Sequence, residues 1–185
     1  NGEVVSYEIS YRAGAGLSIA ALAIASTFDV SGDFENSEYL KAAKDAFFYL
    51  EKNNVSLTND GKENIVDDYC ALMAATELYN ATSDIVYKEA ADRRATSLTA
   101  RLIQNSEGHY FWRADDKERP FFHAADAGLP VVSLLKYVEI AEEGDRKSKM
   151  RNVFSIITCC VIPTTMNIDR VLFSFIKSHF SVCFI

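Results

Sequence analysis

The 185-residue chain is short of positive charge: 19 Lys and Arg stand against 26 Asp and Glu, a formal net charge of -7. Phosphate backbones are bound by clustered Lys and Arg, so a nucleic-acid partner is not expected, and an acidic surface suits a neutral or cationic ligand. The four cysteines form no disulfide framework, because Cys70 stands alone while Cys159, Cys160 and Cys183 crowd the C-terminal part. No ligand spacing for zinc occurs either, and Cys70 is expected to be a small buried side chain. No apolar run reads as a membrane span. The segment from Arg12 to Thr27 is short and alanine-rich, and Pro163 with interspersed polar residues interrupts the later one. Asn1 is not an initiator methionine and no basic, apolar, small-residue leader is visible, which leads us to expect a processed product or a fragment.

With 49% hydrophobic and 24% charged residues the composition is globular, and the length suits one domain. Arg12 to Thr27 is apolar nearly all round, which predicts a helix enclosed by protein. Gly14 and Gly16 would weaken its interior, so they mark its first turn or a close helix contact. Ser37 to Lys52 places Leu40, Ala43, Phe47 and Leu50 on one face and its charges mostly elsewhere, as an amphipathic helix does. Val66 to Tyr79 is again mostly apolar. Ile85 to Ile103 forms a second amphipathic helix, with Tyr87, Ala91, Ala95, Leu98 and Leu102 toward the core and Ser83 or Asp84 as its cap. A further apolar helix runs from Val131 to Ala141, with Pro130 in its first turn.

Buried and half-exposed helices therefore alternate, with nominal buried starts at Arg12, Val66 and Ala124, a helix-pair repeat that suggests an α/α toroid. The fold class expected is all-α. Between Gln104 and Phe122 lies a long connection holding His109-Tyr110-Phe111-Trp112, readable as a loop over a pocket mouth or as a short hairpin. Residues 1–150 make the expected domain. Residues 151–185 carry three cysteines, many Phe, Ile and Val residues and one acid, and are expected not to be the native continuation.

Three motifs stand out: Tyr11-Arg12-Ala13-Gly14-Ala15-Gly16-Leu17, Glu63-Asn64-Ile65-Val66-Asp67-Asp68-Tyr69-Cys70-Ala71-Leu72, and Arg119-Pro120-Phe121-Phe122-His123-Ala124-Ala125-Asp126-Ala127-Gly128-Leu129-Pro130. In this order and spacing they resemble the catalytic domain of glycoside hydrolase family nine, in the branch of cellulase-like enzymes and exo-glucosaminidases, over roughly residues 3 to 145. The resemblance implies an (α/α)6 barrel, of which this chain supplies two full helix pairs and the inner member of a third. It implies hydrolysis of β-1,4-linked glucan or glucosamine oligosaccharides with inversion, no cofactor, and a secreted or periplasmic setting. It also implies an Asp pair as base and a remote Glu as acid. Neither is found here: Asp126-Ala127-Gly128 gives the first letters of the Asp motif, but Leu129 stands where its second Asp belongs. The chain alone is therefore expected to be inactive.

The candidate substrate-binding residues are His123, Asp126, Trp112, Asp67, Asp68 and Tyr69, with an oligosaccharide as the expected partner. His123 either reaches a sugar hydroxyl or is tied to a backbone group. Asp126 caps the following helix, touches ligand, or does both. Asp67 and Asp68, being adjacent on a helix, point about 100° apart, so at most one is expected to face the axis while the other caps or meets solvent. Tyr69 is core or, near the axis, a hydroxyl within reach of ligand. Trp112, the only tryptophan, either stacks on the apolar face of a sugar or packs the loop. Arg12 is expected to hold helix starts together through a carboxylate. A noncatalytic carbohydrate-binding module, and a different toroid enzyme such as a sugar epimerase or lyase, are the alternatives.

Overall fold

A computed structural model describes residues 8–123 and 126–142, together with Gly144, Ser148 and Val153. The expected tail 151–185, apart from Val153, and Ala124, the nominal start of the third buried helix, lie outside the described residues. The described chain is all-α but for one small hairpin. A 3-10 turn, Tyr11–Ala13, leads into α1 (Ala15–Ala25), followed by α2 (Asn36–Leu57), α3 (Ile65–Thr82), α4 (Ile85–Ala100), β1 (Leu102–Gln104), β2 (Tyr110–Trp112) and α5 (Leu129–Ile140).

Local chemistry sets the boundaries. Gly14, at φ +108°, closes the 3-10 turn and opens α1 in the left-handed region where glycine is at ease. Reciprocal side-chain bonds between Glu35 and Glu38 start α2, and the same device joins Asn64 and Asp67 at the start of α3. Asp84, not Ser83, caps α4 by accepting from the Val86 amide, while Ser83 takes φ +57° to end α3. At α5 the cap is Gly128, with no side-chain bond, and Pro130 sits in the first turn. Asp126 is thus not the side-chain cap expected of it. Its carboxylate is drawn instead to Tyr69, whose buried hydroxyl needs an acceptor.

The helices form two layers. In the front layer α3 lies between α1 and α5, and in the back layer α2 and α4 pack behind them. Arg12 reaches Asp67 and Gly16 abuts Cys70, so α1 and α3 start at the same end. Ser133 Oγ donates to the Tyr69 carbonyl at 3.1 Å and Lys136 lies beside Glu77, so α5 runs the same way. Asn54, late in α2, accepts from the Tyr11 amide, and Ser97, late in α4, donates to Asp68 at the start of α3. The back helices therefore run antiparallel to the front ones. Within the back layer, Phe47 of α2 and Tyr87 of α4 meet edge to face with centroids 5.2 Å apart.

Tyr11, Tyr69, Tyr87, Tyr137, Phe47, Ile19, Leu72, Leu78, Leu98 and Leu134 are fully buried, and each such side chain contributes on the order of 2 kcal/mol of hydrophobic stabilisation before entropy is counted. The expected core faces of α2 and α4 appear as read, except that α4 ends at Ala100 and Leu102 belongs to β1. The hairpin reading of the 104–122 connection is the one realised: β1 and β2 pair antiparallel, Leu102 opposite Trp112. The full enclosure expected of α1 is not. Ala15, Gly16, Ile19, Ala20 and Ala23 are buried, but Leu17, Ser18, Ala21 and Ile24 are exposed, because only α2 and α3 flank the helix among the described residues.

Candidate functional site

Two polar clusters occupy the end of the molecule where α1, α3 and α5 begin, and their free valences separate them. The first is an ion-paired network. Asp67, wholly buried, accepts from Arg12 Nε at 2.7 Å, from the Asn64 amide at 3.0 Å and from Asn54 Nδ2 at 3.1 Å. A longer contact comes from the Arg12 amide at 3.3 Å. Asp68, also buried, accepts from Arg101 Nε at 2.5 Å and Ser97 Oγ at 2.9 Å, with Arg94 at 3.5 Å.

The two neighbours diverge as helical geometry requires, one toward the 3-10 turn and α2 and the other toward α4. Neither meets solvent, and of the two roles expected for one of the pair, capping or solvation, capping is the one realised: Asp67 accepts from the Asn64 amide at the start of α3. Burial pushes the Asp68 carboxyl above its ordinary range, against the opposing pull of Arg101 and Ser97. Arg94 joins Glu63 at 2.6 Å and Glu51 at 3.3 Å. Burial disfavours its charge, but Glu63 and Glu51 outweigh that and hold the guanidinium above its usual value.

Every carboxylate in this network is engaged by donors of the fold, so the chemistry it can do is to hold α1, α2, α3 and α4 in register. Arg12 binds helix starts as expected, pairing with Asp67 and donating to the Lys62 carbonyl. Sequence reading missed Asn54 as a member. Its Asn-Val-Ser triplet suggests a glycan acceptor, but the side chain is spent on Tyr11, Glu63 and Asp67 and only 2% of the residue is exposed.

The second cluster is open. Tyr69 Oη donates to Asp126 Oδ2 at 3.2 Å, the Asp126 amide donates to His123 Nδ1 at 3.1 Å, and the Phe121 and His123 rings lie nearly parallel, 8° apart in tilt with centroids separated by 6.4 Å. Tyr69 also meets Phe121 at 6.2 Å. His123 Nδ1 faces both the Asp126 amide, at 3.1 Å, and Asp126 Oδ2, at 3.5 Å; where Nδ1 accepts the amide, the ring's N–H donor is Nε2. The side chains of His123 and Asp126 are 50% and 34% exposed. An N–H donor and a carboxylate acceptor thus stand at the rim, beside an aromatic surface and above a buried tyrosine.

Burial, with the neighbouring Cys70 thiol and the Asp126 carboxylate, pushes the Tyr69 hydroxyl up, so it remains a donor across the ordinary pH range. Cys70 beneath it is pushed up to about 12 by burial and by Asp67 and Asp126, and is no nucleophile at neutral pH.

Of the six candidate residues, His123, Asp126 and Tyr69 are brought into one cluster, and Asp67 and Asp68 sit in the adjoining closed network. Trp112 is half-buried on β2, packed against the core, and its carbonyl accepts from the Phe121 amide at 2.6 Å. It anchors the strand from which Phe121 and His123 follow. Phe121 was not among the candidates, although it lies in the same motif as His123 and Asp126. Phe122, its neighbour, is 91% exposed. Among the described residues no group of three His, Cys, Asp or Glu side chains is placed to hold a metal ion, and no helix is long and apolar enough to cross a membrane. Compared with known proteins, the sequence matches no protein-family model and no curated protein.

Proposed function

We propose that the chain is part of a glycoside hydrolase of the family-nine kind, and that it binds β-1,4-linked glucan or glucosamine oligosaccharides at the Tyr69–Phe121–His123–Asp126 cluster. The observation that carries the reading is the half-exposed pair of His123 and Asp126 beside the half-buried Phe121 ring. Neighbouring sugar hydroxyls each donate and accept, and a donor and an acceptor fixed side by side meet both needs. Sugar C–H faces also pack on aromatic rings. Asp126 would equally take the ammonium of a glucosamine unit. The parallel α1, α3 and α5 with antiparallel α2 and α4 behind them support a toroid built of helical hairpins, with the cluster at the end where its inner helices start.

In this proposal the parent reaction is single displacement with inversion, and the chain alone does not turn substrate over. Asp67 and Asp68 are spent on internal ion pairs, and inversion needs two carboxyl groups facing each other across a bond. A noncatalytic binding module is the second reading, favoured by the same engagement of the two carboxylates. The test is twofold. Calorimetric titration of the chain with cellohexaose and chitosan oligomers should give saturable binding, weakened about tenfold in Asp126→Asn by loss of a charge-assisted hydrogen bond. An extended product of the same gene should release sugars with inverted configuration. Absence of binding to either oligomer sinks the site assignment, retained configuration sinks the family reading, and binding without hydrolysis by the extended product selects the module.

A further inference from the structure

Arg101 and Arg113 stand at the root of the hairpin, just outside the ladder that pairs Leu102 with Trp112. The register continues through them, since the Arg113 amide donates to the Arg101 carbonyl at 2.8 Å. Residues directly opposite in an antiparallel pair send their side chains to one face, and like charges so placed repel. Asp68 answers the Arg101 guanidinium through Nε at 2.5 Å, but Arg101 Nη1 is buried without a hydrogen-bond partner, in a side chain only 9% exposed. Arg113 Nε is in the same condition. Arg113 lacks a counter-charge as well: among the described residues Arg12, Arg93, Arg94, Arg101 and Arg119 each meet a carboxylate, and Arg113 meets none. In a chain whose acids outnumber its bases, that vacancy is specific to this place. Buried donors are nearly always paired, and charged ones are the costliest to leave alone. A trapped water would take up the N–H groups but leave the charge unanswered.

We propose that Arg113 and Arg101 form a binding site for a small organic monocarboxylate, whose two oxygens accept from Arg113 Nε and Arg101 Nη1. Two guanidinium charges less the Asp68 carboxylate leave a single positive charge, which one carboxylate cancels. The flat guanidinium edge also matches the plane of a carboxylate.

The surroundings define the body that carries the carboxylate. Pro120 stands across from Arg113 on its other side, in an antiparallel bridge. Alternation along β1 and β2 sends Ile103 and Phe111 to the same face as the two arginines. Both are half-buried, as is Arg113, so the site is reached from the surface along apolar walls. Such walls favour an organic anion over sulfate or phosphate, whose second charge would be desolvated with nothing to meet it. Phe121, one residue past Pro120 and bonded to Trp112, takes the opposite face of the hairpin. The carboxylate site is thus separate from the Tyr69–His123–Asp126 cluster and stands whether or not that cluster binds sugar.

Nuclear magnetic resonance of the 15N-labelled full chain tests this, following the arginine Nε–H signals while sodium benzoate or sodium sulfate is added and sodium chloride holds ionic strength constant. Benzoate should move the Arg113 Nε–H signal saturably, with a dissociation constant on the order of 1–10 mM, and sulfate should bind at least about fivefold more weakly. Read at the Ile103 and Phe111 amides, Arg113→Gln should weaken benzoate binding at least about tenfold with circular dichroism unchanged. Should that variant fail to fold, Arg113→Lys, which keeps the charge and loses the planar edge, should weaken it roughly threefold or more. A signal that does not saturate below about 100 mM benzoate overturns the proposal. So do sulfate binding as tight as benzoate, a shift that sodium chloride alone reproduces, and a folded Arg113 variant that binds benzoate as wild type does.

Discussion

Replacing Gly16 with alanine should destabilise the protein, although alanine is the better helix former. A Cβ built at Gly16 meets Cys70 Cβ and the Cys70 carbonyl oxygen at 2.7 Å and its carbonyl carbon at 2.8 Å. Two of these three atoms are backbone, so no rotamer change relieves the contact, and α1 must move away from α3 by about 1 Å to restore ordinary separations. That displacement opens the close-packed α1–α3 seam. Overpacking of this kind costs about 1–3 kcal/mol, and the gain in helix propensity returns at most about 1 kcal/mol. The net loss should be about 1–2 kcal/mol, a fall in Tm of roughly 3–6 °C for a chain of this size. Urea titration and thermal melts of the Gly16→Ala variant measure it. Adding Cys70→Ala should give no rescue, because that change keeps Cβ and the backbone and removes only the sulfur. A Gly16→Ala variant as stable as wild type, or one restored by Cys70→Ala, would refute the reasoning.

Three further outcomes follow from the polar clusters. Asp67→Ala strips Arg12, Asn54 and the Asn64 amide of a common acceptor, and removing one partner of a buried pair should cost about 3–5 kcal/mol in urea titration; a loss within 0.5 kcal/mol (about the range of an ordinary surface change) would show the network to be incidental. Burial alone would push the Glu63 carboxyl up, but its bonds to Arg94 outweigh that and hold it below the ordinary value of 4.5. Its stabilisation is therefore fully present above that value and lost as pH falls through the lowered one. Glu63→Gln should be less stable at pH 7 by about 1 kcal/mol and should flatten the acid limb of stability against pH; an unchanged limb would remove Glu63 from the account. Tyr69→Phe should leave the fold within about 1 kcal/mol of wild type yet weaken oligosaccharide binding several-fold, because Asp126 loses the donor that fixes its carboxylate; undiminished affinity in calorimetry would detach Tyr69 from the site.

The helices were legible where side-chain pattern alone decides them. Ala43, Phe47 and Leu50 on α2, and Tyr87, Ala91, Ala95 and Leu98 on α4, are buried as their spacing demands. The two roles offered for the early glycines divide between them, Gly14 turning the chain and Gly16 admitting Cys70. What sequence could not give was partnership. Asp67 and Asp68 look alike in the string, and only the positions of Arg12 and Arg101, 55 and 33 residues away, show that both are consumed inside the fold. Asp126 looked like a helix cap because it precedes a helix, but a tyrosine 57 residues earlier claims its carboxylate. Likewise, a helix apolar on all sides is expected to be enclosed, but enclosure depends on what packs beside it, and α1 keeps an open seam.

The most direct test of the central claim is a nuclear magnetic resonance titration of the 15N-labelled chain with cellohexaose and, separately, with a glucosamine hexamer. The account predicts saturable shifts at Phe121, His123 and Asp126, with a dissociation constant on the order of 1 mM or tighter, and none along α1 or at the buried Asp67 and Asp68 amides. Flat spectra with both sugars at about tenfold that concentration, or shifts confined to another surface, would contradict it.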